Sequence, residues 1–216
     1  MTRLRCDFPC TLAIGVLAVA ATTAALASPA IARTLVADGR IAHGELWRAA
    51  TGPLVHATWA HLIRDLALVA LAGATYEAPL RSRRAALFAG GLVVPPLAVL
   101  AAGDVGWYCG LSGLSHALLA AALAFELVRR RGAARGLVLA LCAASAVKPI
   151  YELVTGAPAF AMSLGADVVQ VPLAHAAGVA IGLLCGARAG LDRYAQICDT
   201  RRQPVPAAYP LARNAG

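Results

Sequence analysis

The sequence is poor in charged residues, which make up 14% of its 216 positions. Soluble domains contain roughly 25% charged residues, and 60% of this chain is hydrophobic. The few charges lie between long apolar runs, and each run approaches the ~20 residues that a helix needs to cross a bilayer. The composition therefore disfavours a soluble fold and predicts an integral membrane protein with one membrane domain.

Two further features are missing. The net charge is +8, yet no basic stripe with interleaved aromatic residues is present, so we expect no nucleic-acid partner. The six cysteines form no CxxC pair and have no metal-ligand spacing, so they indicate neither a zinc site nor a disulfide framework. The arginines occupy short loops, where they are better explained as topology determinants.

Six apolar runs predict an all-α bundle of six transmembrane helices. They are Thr11–Ile31, Pro53–Ala74, Ala85–Ala102, Gly110–Val128, Gly136–Ile150 and Val168–Ala187. Alanine and glycine are frequent in these runs and allow close helix packing. We therefore predict a cytoplasmic N-terminus (residues 1–10), a membrane domain (11–190) and a cytoplasmic tail (191–216) that is disordered.

The distribution of arginine predicts the orientation. Arginines cluster near the N-terminus, in the second-to-third and fourth-to-fifth connections, and in the tail. The other connections contain fewer basic residues, and the outer loop over residues 151–167 carries Glu152 and Asp167. Both termini are therefore predicted to be cytoplasmic. An alternative for the first run is a signal peptide cleaved after Ala25-Leu26-Ala27, which would leave five spans.

Five polar residues fall at a similar depth in the predicted spans. Counted at 1.5 Å per residue from the cytoplasmic helix ends, His61, Asp65, Ser112, His116 and His175 lie ~18–25 Å into the bilayer. A single histidine or serine in a span is often only a hydrogen-bonding or packing residue. Convergence of all five on one layer favours a functional site, because ionisable groups in a bilayer are costly.

The residue types in this layer suit nucleophilic catalysis. A serine nucleophile needs a base within hydrogen-bonding reach and donors for the developing oxyanion. His175 can act as the base for Ser112, and backbone N–H groups at the start of the fourth span can stabilise the oxyanion. Gly110 would let a substrate backbone approach closely.

These residues occur in motifs that resemble the rhomboid family of intramembrane serine proteases. The similar segments are Gly110-Leu111-Ser112-Gly113 (GxSG), Ala174 to Gly182 (AHxxGxxxG), Trp47-Arg48 (WR), and the paired histidines His56 and His61. The resemblance implies a rhomboid-like six-helix fold and a Ser112–His175 dyad with no third acid, metal or cofactor. It also implies membrane-anchored protein substrates within the lipid bilayer.

A finer resemblance is to the rhombosortases, bacterial rhomboids in which a histidine follows the nucleophile by four residues, as His116 does here. Lys148 and Glu152 are similar to another feature of that subfamily, although an ordinary i,i+4 pair is an equal alternative, weakened by Pro149. His116 is expected to pack on His175 or hydrogen-bond to it. The subfamily implies a bacterial inner-membrane location and substrates with a C-terminal Gly-Gly motif, an apolar helix and basic residues.

Asp65 departs from the family pattern, which usually has asparagine at this position. An ionised aspartate cannot donate to an oxyanion, whereas a protonated one could, and Asp65 could instead orient His61. The oxyanion site would then depend on the Ser112 N–H and His61. Two alternatives to a protease stay open: a non-catalytic rhomboid-like protein that binds transmembrane helices, and a transporter that relays protons through the His and Asp layer.

Overall fold

The computed structural model describes residues 7–103, 105–155 and 171–202. The described helices are α1 (Pro9–Ala27), α2 (Pro29–Leu35), α3 (Arg48–Thr51), α4 (Trp59–Tyr76), α5 (Arg84–Ala102), α6 (Ser112–Arg129), α7 (Gly132–Thr155) and α8 (Pro172–Arg202). Two short strands, β1 (Ala37–Asp38) and β2 (Trp107–Tyr108), pair antiparallel in the loops. Short 3-10 segments cover Gly39–His43 and Gly52–Leu54. The predicted all-α fold is confirmed.

Five of the described helices are long and apolar enough to cross a membrane: α1, α5, α6, α7 and α8. A sixth span results if the segment Arg48–Leu54 is counted together with α4, to which it is bent by 101°. The central helix is α6, which contacts α4, α5, α7 and α8. Most of its residues are buried, so the residues at its start are held from several sides.

The first two predicted spans begin or end at different residues in the structure. We predicted that the first continues to Ile31, but α1 stops at Ala27, and the Ser28 side chain caps a separate short helix that begins at Pro29. Prolines are favoured at the first position of a helix and not inside one. The helix of the second span begins at Trp59 instead of Pro53, because the Thr58 hydroxyl accepts the His61 N–H at 3.1 Å and caps it.

The loop before α4 is held by a buried arginine. Arg48 is only 2% exposed and donates to the carbonyls of Arg33 (2.6 Å) and Val36 (3.1 Å). Glu45 accepts from the same guanidinium at 2.6 Å and compensates its charge. These contacts explain how the arginine of the Trp47-Arg48 pair can be buried; Trp47 itself is 50% exposed.

The last two spans are longer than predicted. Glu152 was assigned to an outer loop, but it lies in α7 and is buried, because Lys148 one turn earlier pairs with it at 2.7 Å. α8 continues past residue 190 to Arg202, where we predicted a disordered tail, and an ion pair between Arg83 and Asp192 (2.9 Å) attaches this extension to the bundle. Residues 1–6, Asp104, residues 156–170 and the tail after Arg202 lie outside the described residues.

Candidate active site at the start of helix α6

Ser112 is the first residue of α6 and is half-buried. The chain reaches it through β2 and Gly110, whose φ of +100° is a conformation that favours glycine. The backbone N–H groups at a helix start have no intrahelical acceptor, so those beside Ser112 can bind an anionic oxygen. The local fold therefore places a half-buried hydroxyl beside the first N–H groups of α6.

The ring of His116 contacts both the Ser112 backbone and the His175 ring. Its Nδ1 is 2.7 Å from the Ser112 carbonyl oxygen, which can only accept, so Nδ1 carries the proton. On the other side the His116 and His175 rings are stacked, with centroids 4.1 Å apart and planes inclined by 14°. Of the two contacts expected for His116, the structure thus shows packing on His175.

Close packing of α6 against α8 brings these residues together. A Cβ on Gly178 would overlap the backbone of Gly113, and Gly182 and Gly186 face the carbonyls of Ala117 and Ala121 in the same way. A Cβ on Gly113 would in turn come within 3.4 Å of the Ala174 carbonyl oxygen. The neighbours of Ser112 and His175 are therefore in direct backbone contact, as the small residues at every fourth position allow.

A buried carboxylate lies behind His175. Glu152 of α7 is 1% exposed, and its Oε2 is 3.4 Å from Nδ1 of His175. Lys148 pairs with the same carboxylate at 2.7 Å. A buried carboxylate needs such a partner, because desolvation of an isolated charge is costly. Glu152 thus faces Nδ1 of His175, and Nε2 is the ring nitrogen that does not face this carboxylate.

His56, His61 and Asp65 form a second buried group. Asp65 Oδ2 lies 3.3 Å from His56 Nε2 and 3.4 Å from His61 Nε2, and the two rings meet edge to face at 4.9 Å. The group lies against Gly110, since a Cβ there would be 2.7 Å from His61 Nε2 and 3.3 Å from Asp65 Oδ2. Among the described residues this is the set whose atoms could together hold a metal ion.

Tyr108 completes the surroundings of Ser112. Its hydroxyl is fully buried next to the Ser112 side chain and the Gly113 backbone. Burial raises the pKa of the Tyr108 phenol well above its ordinary value, so the hydroxyl keeps its proton. Tyr108 can therefore donate a hydrogen bond near the nucleophile position.

The structure brings the predicted site residues to one place. His61 is in the first turn of α4, Ser112 and His116 are in the first turns of α6, and His175 is in the first turn of α8. Asp65 and Gly110 lie beside them. No site role was predicted for His56, Tyr108 or Glu152. His56 and Glu152 occupy motif positions, and Tyr108 lies in the Trp107–His116 segment that is similar to the rhombosortases, so all three could have been proposed from the sequence.

An apolar cavity of about 330 Å³ opens between α4 and α6 and reaches the site. His116 and Ser115 line its inner end, and Leu68, Leu71 and Leu119 line the rest. These leucines are 41–71% exposed, so the cavity faces the surroundings of the bundle. An apolar segment could approach the site from this side.

The comparison with known protein families agrees with this architecture. The sequence model of the Rhomboid domain matches residues 43–190, which is more than half of the chain and includes every residue of the site. No curated protein is similar enough to count as a match. Rhomboid proteins are intramembrane proteases that act on membrane-protein substrates, although some members are inactive. The chain is a multi-pass membrane protein that belongs to the rhomboid family.

Proposed function

We propose that this protein is an intramembrane serine endopeptidase that uses Ser112 and His175 to cleave a peptide bond in or near a substrate's transmembrane segment. The observation that supports this best is the arrangement around His175. Its ring stacks on His116, which contacts the Ser112 carbonyl, and its Nδ1 faces Glu152. A histidine held in this way has Nε2 free to act as a base.

The chemistry follows from these positions. The Ser112 hydroxyl attacks the substrate carbonyl carbon while His175 Nε2 takes its proton. The tetrahedral oxyanion is stabilised by the Ser112 N–H and by His61. His175 then protonates the leaving amine as the C–N bond breaks, and water hydrolyses the Ser112 ester in a second round of the same steps.

Asp65 has a role compatible with catalysis in this proposal. Its carboxylate contacts the Nε2 atoms of both His56 and His61, so it can orient His61 without itself donating to the oxyanion. This is one of the two roles that the sequence allowed. An aspartate at this position therefore does not by itself require an inactive protein.

The substrate is proposed to be a single-span membrane protein whose apolar segment enters through the cavity between α4 and α6. The rhombosortase resemblance narrows this proposal to exported proteins with a C-terminal Gly-Gly motif, an apolar helix and basic residues. We also propose a bacterial inner-membrane location, which the same resemblance implies, and cytoplasmic termini, which the distribution of arginine predicts.

A fluorophosphonate probe tests whether Ser112 is an activated nucleophile. We expect the purified protein in detergent to be labelled covalently, with the label on Ser112, because the probe reacts with a serine whose proton is removed by a base. Ser112→Ala should show no labelling, and Ser145→Ala, which changes a half-buried serine of α7, should label normally. Absence of labelling in the folded wild-type protein would favour the non-catalytic alternative.

Replacing Glu152 by glutamine tests the proposed positioning of His175. The neutral amide should hold the ring in the wrong tautomer for part of the time, and we expect kcat to fall about 10²-fold with little change in KM. Glu126→Gln is a matched control, since Glu126 is also buried but pairs with Arg130 at the other end of α6. An unchanged kcat in Glu152→Gln would show that the carboxylate does not position His175.

A further inference from the structure

A second cavity, of about 330 Å³, lies at the end of the bundle opposite Ser112. Its walls come from the turn after α4 (residues 78–82), the end of α6 and the extension of α8. Ser112 begins α6 and Arg129 ends it, so at 1.5 Å per residue the two are about 26 Å apart. We call this cavity the arginine pocket, and its described lining shares no residue with the candidate active site.

The lining of the arginine pocket is strongly basic. Arg81, Arg129 and Arg193 line it, and Asp192 is the one acidic residue among its described lining residues. The Asp192 carboxylate already accepts two hydrogen bonds from the Arg83 guanidinium, at 3.1 and 3.3 Å. Because Arg83 compensates the charge of this carboxylate, the three lining arginines give the pocket a net positive charge.

The lining arginines are only weakly engaged by acidic groups of the chain. The Arg81 and Arg193 side chains are exposed and form no ion pair within the part of the chain that the structure describes. Arg129 lies 3.6 Å from one oxygen of Glu126, whose other oxygen binds Arg130 at 2.5 Å. One carboxylate thus serves two arginines there, and an anion that enters the pocket gains charge-assisted hydrogen bonds.

The position of the arginine pocket and its apolar lining suit a phospholipid. The membrane-spanning segment of α5 begins at Arg84 and that of α6 ends at Arg129, so the pocket lies where these helices leave the hydrocarbon core. Phe125, Ala189 and Pro79 line it beside the arginines. Basic pockets between helices at this level bind lipid headgroups, and the planar guanidinium group matches the geometry of phosphate oxygens.

We propose that the arginine pocket binds the headgroup of one anionic phospholipid from the leaflet at the Arg129 end of the bundle. Arg81, Arg129 and Arg193 contact the phosphate oxygens, and the apolar lining contacts the glycerol and the first carbons of the acyl chains. The trimethylammonium group of a choline lipid would be repelled by the same arginines, so the pocket favours a lipid with net negative charge. This proposal does not depend on proteolysis.

Lipid binding is measured by native mass spectrometry of the full-length protein in a neutral detergent, titrated with dioleoylphosphatidylglycerol or dioleoylphosphatidylcholine. We expect one saturable site that prefers phosphatidylglycerol by about tenfold or more. Arg81→Gln should weaken its binding about fivefold, and replacement of all three lining arginines by glutamine about 100-fold, at about fivefold for each arginine near the membrane surface.

The matched control replaces three arginines outside the pocket, Arg131, Arg135 and Arg188, by glutamine. These side chains are exposed near the same end of the bundle, so the variant loses the same net charge. We expect it to bind phosphatidylglycerol as the wild type does. Ser112→Ala should also bind normally, which makes the result independent of the proposed protease activity. An equal loss of affinity in the control and in the variant of the lining arginines would show nonspecific attraction and overturn the proposal.

Inorganic phosphate distinguishes a lipid site from a site for the free anion. At a concentration equal to that of the lipid, we expect it not to displace phosphatidylglycerol, because free phosphate lacks the apolar contacts. Displacement would assign the pocket to free phosphate and overturn the choice of a lipid. The proposal would also be wrong if the wild type showed no saturable binding of phosphatidylglycerol, or if the variant of the three lining arginines bound it with unchanged affinity.

Discussion

Replacement of Ser112 by alanine should lower the rate of substrate cleavage by about 10⁴-fold or more, to the background rate. The proposed acyl transfer passes through a bond to Ser112 Oγ, and loss of a nucleophile from such a site removes nearly all of the catalysis that it provides. The measurement is the initial rate of cleavage of a single-span reporter in proteoliposomes. One reporter carries a Gly-Gly tail with an apolar helix and basic residues, and a second lacks the Gly-Gly motif.

The control and the two reporters separate three outcomes. His175→Ala should reduce the rate about as much as Ser112→Ala, because nucleophile and base act as a unit and their effects are not additive. Ser145→Ala should cleave normally. Cleavage that persists in Ser112→Ala would contradict the protease proposal. Equal cleavage of the two reporters by the wild-type protein would contradict only the rhombosortase assignment.

Gly178→Ala should destabilise the folded bundle by more than about 3 kcal/mol. The added Cβ would overlap the carbonyl group of Gly113, and neither backbone can move without separating α6 from α8. These two helices form the most extensive helix contact among the described residues, and they carry Ser112 and His175. We therefore expect loss of the folded protein in detergent and, with it, loss of probe labelling.

Gly136→Ala is the matched control for this prediction. Gly136 lies in α7, and no neighbouring atom comes within 4 Å of a Cβ built there. In an open helical position alanine is favoured over glycine by about 0.5–1 kcal/mol, so this variant should be as stable as the wild type or more stable. Thermal unfolding of both variants in the same detergent provides the measurement. Equal stability of Gly178→Ala and wild type would show that α6 and α8 are not held at backbone contact.

Several elements of the fold could be predicted from the sequence because local rules decide them. The apolar runs predicted the spans, since the bilayer requires long helices. The ends of these helices were less predictable. Thr58 caps α4 and Pro29 starts a new helix, but the tight link from Pro53 to Thr58 is apolar enough to be mistaken for part of a span. The extension of α8 makes an ion pair with Arg83 through Asp192, and no local pattern reveals this contact between distant residues.

The sequence by itself predicted the candidate nucleophile and base and their approximate depth. Ser112 and His175 occur in spaced motifs, and the helical rise converts spacing into depth. Only the tertiary structure decided what surrounds them. Glu152 contacts His175 because α7 packs near α8, and Asp65 meets His56 because the chain bends by 101° before α4. Contacts between distant segments depend on how the helices pack, and a linear spacing carries no information about that.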